Sequence, residues 1–146
     1  MELTIDAALQ KAIEAHKAYQ IEDADRLYTA ILKAQPQHPD ANHNMGLLAV
    51  GVGKVDAALP FFKTALEANP NIAQFWLSYI DALIKLDRIE DAQAVFDQAK
   101  SKGVKGDAFD QIEKQLGLVS SQNTNTQDLP VEQLNGLMAL YNQKKL

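Results

Sequence analysis

The residues in this 146-residue chain with the broadest chemical range are its three histidines, His16, His38 and His43. Two histidines four positions apart on a helix would share a face and offer a metal or catalytic site. No pair has that spacing, and His38 stands directly before Pro39, where turn chemistry accounts for it. Cysteine is absent, which removes disulfides, thiol nucleophiles and thiolate metal sites together. Gly46, Gly51 and Gly53 lack the spacing and the lysine of a phosphate-cradling loop, and Ser120 and Ser121 have no base or orienting acid beside them. Asp23, Asp25, Glu90 and Asp91 gather where helices should begin, so capping and solvation explain them without acid–base work. The expectation is a chain with no catalytic residues, no metal and no cofactor.

Composition narrows the partners. A net charge of −5 disfavours nucleic acid, which needs clustered Lys and Arg that Lys144 and Lys145 do not supply. There is no apolar run of 18 residues or more, so no membrane span is expected. The start, Met1-Glu2-Leu3-Thr4-Ile5-Asp6, has neither a basic stretch nor an apolar one, which reads as no secretory signal and favours the cytoplasm.

The elements that would position any site are helical. Ile5, Ala8, Leu9, Ala12, Ile13, Ala15 and Tyr19 recur at helical spacing, with Thr4 as N-cap and an end near Ala18. Ala24, Leu27, Tyr28, Ile31 and Leu32 mark a second helix that stops before Gln35-Pro36. A third helix should open at Pro39 and break at Gly51-Val52-Gly53, and a fourth should run from about Val55 to Ala68, with Pro60 near its first turns. Trp76, Tyr79, Leu83 and Leu86 lie on a fifth; Ile89, Ala92, Val95, Phe96 and Ala99 on a sixth, closed by Lys102-Gly103.

The pattern repeats every 34 residues. Ala24, Ala58 and Ala92 align, as do Tyr28, Phe62 and Phe96, Ile21, Val55 and Ile89, and the prolines Pro36 and Pro70. Small residues let the helices of a hairpin approach; the aromatics fill the gap to the next hairpin. Across about 100 positions these columns resemble the tetratricopeptide repeat. The resemblance implies an all-α fold, an α-solenoid of three helical hairpins forming a right-handed superhelix, with units at 5–38, 39–72 and 73–106. Departures are Lys11 where the family has a large apolar residue, Ile80 where it prefers a small one, implying a wider third hairpin, and Val104 in place of Pro.

Beyond the period, Asp107 should cap a short helix over 107–117 that closes the array, with Gly117 as terminator. Residues 118–129, polar from Ser120 to Gln127, read as a flexible linker, and 130–146 as a terminal amphipathic helix with Leu134, Leu137, Met138 and Tyr141 on one stripe. That helix is either the start of a further repeat in a longer protein or one that packs back on the array. Leu129 to Gln143 also resembles the opening of a second array in large bacterial proteins, where such repeats precede an O-linked N-acetylglucosamine transferase-like or a sulfotransferase domain.

In this family the first helix of each hairpin lines a concave groove. The resemblance maps that groove onto Asp6, Leu9, Gln10, Ile13 and Lys17, then Asp40, His43, Asn44 and Leu47, then Gln74, Leu77, Ser78, Asp81 and Lys85. The column Gln10, Asn44 and Ser78 would either bond a peptide backbone or form a solvated polar ladder. The family's clamp for a terminal carboxylate needs basic residues at Leu9, Gln74 and Ser78 and an amide at Ile13; only Asn44 fits it. The function expected is a protein-interaction scaffold for a peptide or partner domain. The alternatives are a substrate-recruiting segment of a larger glycosyltransferase or sulfotransferase, and self-association through 130–146.

Overall fold

In the computed structural model the backbone is described over residues 3–128 and side chains over residues 3–117. The narrower likeness and the terminal helix, both beyond residue 128, lie outside the described residues. Within them the chain is all-α: α1 (Ile5–Lys17), α2 (Ile21–Ala34), α3 (Pro39–Gly51), α4 (Val55–Ala68), α5 (Ala73–Lys85), α6 (Ile89–Ser101) and α7 (Asp107–Asp128).

The first six helices pair as three stacked hairpins. The Thr4 hydroxyl accepts from the Ala7 amide and starts α1; His38 Nδ1 accepts from the Ala41 amide at the start of α3, with Pro39 behind it. Ala24, Ala58 and Ala92 are completely buried, as are Tyr28 and Phe62, and Phe96 is nearly so. Each alanine sits where two helices cross, and each aromatic fills the space this opens. Gly46 allows the closest approach: a Cβ there would lie 2.4 Å from the Phe62 ring. Ile80 takes the same repeat position in α5, and α5 and α6 make the fewest close backbone approaches of the three hairpins.

All three hairpin turns share one geometry. Tyr19, Gly53 and Asp87 adopt positive φ, of 60°, 84° and 60°. The amides of Gln20, Lys54 and Arg88 reach back to the carbonyls of Ala15, Ala49 and Leu83 at 2.8–2.9 Å. This is the six-to-one closure that satisfies orphan carbonyls at a helix end. Only the middle turn has the glycine suited to it.

The joints between hairpins are tied as well. The Asn42 amide donates to the carbonyls of Pro36 and His38, and the Trp76 indole N–H donates to the carbonyl of Pro70 at 2.8 Å. Asn42 and Trp76 stand 34 residues apart, as do Pro36 and Pro70. Two unlike side chains therefore hook equivalent loops.

A second compact unit begins at Gly106, and α7 is its described element. Phe109 and Leu116 on it are buried. The expected stop at Gly117 and the flexible linker over 118–129 are overturned, because α7 runs without interruption to Asp128. A glycine inside a helix costs about 1 kcal/mol against alanine, too little to end one. Gly117 does not take the positive φ that Gly53 and Gly103 use in their turns. Polar Ser, Thr, Asn and Gln lower helix propensity only by tenths of a kcal/mol each, and the first strict breaker downstream is Pro130.

Candidate functional site

The first helices of the hairpins, α1, α3 and α5, lie side by side, with α3 touching both others. Equivalent residues therefore form rows across the array. Asp6, Gln10, Lys17, Asp40, Leu47, Gln74 and Lys85 are exposed, and Leu9, Ile13, Asn44, Leu77 and Asp81 are half-buried. Apolar and polar side chains thus alternate over one face. Asp81 accepts from Lys85 one turn on, at 2.6 Å, a pair about half exposed and of small energetic weight.

Two expected contact residues are not available as such. His43 is 6% exposed and Ser78 is 8% exposed. The His43 ring stacks on Phe75, with centroids 4.7 Å apart, and tilts against Phe62 at 5.6 Å. Its Nε2 lies 2.7 Å from the Ser78 hydroxyl, which also accepts from the Gln74 amide at 3.2 Å. A hydroxyl has one proton and two acceptor sites, so Ser78 can take the Gln74 bond and still meet His43 Nε2 as either donor or acceptor. Both side chains are spent on joining α3 to α5, which corrects the expectation that His43 stands free to contact a partner.

A second polar contact lies within the first hairpin, where the Tyr28 hydroxyl is 3.3 Å from His16 Nδ1. Burial pushes Tyr28 up to about 12, against a smaller opposing effect of Asn44. Burial also pushes His43 down, opposed by Asn44 and by the Asp40 carboxylate, and pushes His16 down. Near neutral pH both contacts therefore join neutral groups: His16 with Tyr28, and His43 with Ser78 and Gln74. No buried side-chain nitrogen or oxygen among the described residues lacks a partner.

The column Gln10, Asn44 and Ser78 is accordingly not a row of open amides. Gln10 donates to Glu14, Asn44 is half-buried, and Ser78 is buried. Sequence reasoning treated Tyr28 as packing alone. Its hydroxyl was a signal, since the equivalent residues are Phe62 and Phe96, and a buried hydroxyl needs a partner. Among the described residues no group of three His, Asp or Glu side chains is placed to hold a metal, and no helix is long and apolar enough to cross a membrane.

Residues 49–116 match the family described as tetratricopeptide repeat. A comparison with curated proteins finds no match. Among solved structures, the chain is similar to the tetratricopeptide repeat domain of Sgt2 from Aspergillus fumigatus, with a TM-score of 0.74 and 16% identity, covering 86% of this chain and 85% of that one. It is similar to the first such domain of Spaghetti (RPAP3) bound to the HSP90 peptide SRMEEVD, with a TM-score of 0.72 and 14% identity over 80% of this chain and 93% of the other. A third is the TPR2B domain of yeast Sti1 in complex with an Hsp70 peptide, at TM-score 0.69 and 20% identity, covering 82% and 97%. At these identities the likeness is one of fold.

Proposed function

We propose that this chain, a tetratricopeptide repeat protein, acts as a protein-interaction scaffold that receives an extended peptide or partner segment on the face shared by α1, α3 and α5. These residues make an interaction module and not an enzyme. The observation that carries the reading is the row of apolar side chains, Leu9, Ile13, Leu47 and Leu77, that reach the surface of that face. They stand among exposed polar groups at Asp6, Gln10, Asp40 and Gln74. An extended peptide is recognised in this manner, by pockets for alternate side chains and polar groups for its backbone.

Similar folds in RPAP3 and Sti1 hold HSP90 and Hsp70 peptides, which supports a peptide as the ligand class. The ligand here differs in chemistry. Leu9, Ile13 and Gln74 offer no cation for a terminal carboxylate, and Ser78 is buried against His43. The grip is therefore on apolar side chains.

The test is a peptide-display selection on the full chain, followed by titration of the selected peptides against Leu47→Glu. Leu47 is 38% exposed, so the change should leave the melting curve unaltered and weaken binding about tenfold or more. Selected peptides that bind Leu47→Glu and the native chain equally would sink the reading.

A further inference from the structure

A second site lies away from that face. Between α4, α5 and α6 there is a cavity of about 450 Å³, within the size range of ligand pockets. Its apolar wall is made by Leu66, Trp76, Tyr79 and Val95. The Trp76 indole N–H is already taken by the Pro70 carbonyl and the side chain is 4% exposed, so what the indole offers the cavity is a narrow strip of apolar ring surface.

The rim carries charge of one predominant sign. Lys63 and Lys102 both border the cavity and both are exposed, with Glu67 the only acid among the lining residues. Neither lysine makes an ion pair or a side-chain hydrogen bond among the described residues. Lys63 and Glu67 are one turn apart on α4 but do not pair, an order along the helix less favourable than Glu preceding Lys. A local excess of cations over an aromatic wall stands out in a chain whose net charge is −5.

A second cavity, between α2, α3 and α4, sharpens the contrast. It is smaller, about 360 Å³, and its charged residues are one acid and one base, Asp25 and Lys54. It has an apolar wall, with Phe61 its one aromatic, and no net charge to select a ligand. The arrangement between α4 and α6 is thus not a general consequence of stacking hairpins.

We infer that the cavity walled by Trp76 and Tyr79 and flanked by Lys63 and Lys102 is a second docking site, taking a peptide segment that presents one large apolar side chain with carboxylates on either side of it. The apolar side chain enters against Leu66, Trp76 and Val95, and the carboxylates meet the two ammonium groups at the rim. Burial of the apolar group supplies affinity, and the charges supply orientation and on-rate. This site is independent of the face made by α1, α3 and α5, so either can fail without the other.

Trp76 is the only tryptophan in the chain, so its emission reports occupancy directly. The probes are three short synthetic peptides: a leucine flanked by glutamates, the same peptide with lysines for glutamates, and the first with alanine for leucine. The Glu-Leu-Glu peptide should shift Trp76 emission saturably, and both others should bind about tenfold more weakly or worse. Combined Lys63→Gln and Lys102→Gln should weaken the first peptide to a similar degree with an unchanged circular-dichroism spectrum. Leu47→Glu, on the other face, should leave the titration as it was. The inference is overturned if the acidic peptide gives no saturable change, if the lysine or alanine peptide matches it, if the double variant binds equally well, or if Leu47→Glu abolishes the signal.

Discussion

His43 and Ser78 are 35 positions apart in the chain and 2.7 Å apart in space. Residues exactly one period apart stand in equivalent places on successive hairpins; an offset of one more brings the end of one side chain onto the next helix. The contact fastens α3 to α5 through the interior rather than along the surface. Removing Ser78 would leave His43 Nε2 buried without this partner, which costs about 1–3 kcal/mol, whereas without His43 the Ser78 hydroxyl keeps its bond from Gln74.

Protonation of His43 should therefore loosen the array. Burial lowers the folded-state value of His43 below its ordinary 6.5, against the smaller raising effects of Asn44 and Asp40. A histidine depressed on folding binds its proton more readily when unfolded, so stability is fully present above pH 6.5 and falls as pH drops below it. His16, lowered by burial, acts in the same direction. Melting temperatures between pH 7.5 and 5.5 should decline for the native chain and decline less for His43→Phe; equal slopes would refute this role.

Gly46→Ala sets two effects against each other. Alanine is the better helix former by about 1 kcal/mol. Its Cβ, however, would fall 2.4 Å from Phe62, a completely buried ring already held against His43. Overpacking of this kind costs about 1–3 kcal/mol, so the net change should be destabilising. Urea unfolding would measure it, and Phe62→Leu in the same chain should recover part of the loss.

The shared turn geometry yields a prediction of opposite sign. A non-glycine residue at positive φ is strained by about 1–2 kcal/mol, more than the extra chain entropy that glycine loses on folding. Tyr19→Gly should raise the urea midpoint. Asp87→Gly should raise it less, because Asp tolerates this region better. Gly53→Ala should lower it. A fall with Tyr19→Gly would show that the tyrosine, 86% exposed, stabilises the fold by some other means.

What could be read from sequence follows from what a period can encode. Ala24, Ala58 and Ala92 and the aromatics beside them are constrained by the same neighbours in every unit, so they recur, and the six helices of the array begin and end close to where their caps and prolines indicate. The His43–Ser78 contact does not recur, since the residues 34 positions before them are Leu9 and Asn44. Tyr19 and Asp87 were hidden because the turn demanded glycine-like geometry of residues that do not advertise it. The Asn42 and Trp76 hooks share a function and no chemistry, so no residue type recurs at that position to mark it. At Gly117 the error was one of magnitude: a weak helix breaker was given the authority of a strong one.

The hooks at Asn42 and Trp76 have a consequence for how the array behaves under load. Each loop between hairpins is gripped by the helix that follows it, so consecutive hairpins meet at a stiff joint rather than a free pivot. Tension along the chain would reach those joints before it could peel a hairpin open. The spacing of any surface spread over several hairpins would then depend on these few bonds as well as on the packed alanines and aromatics.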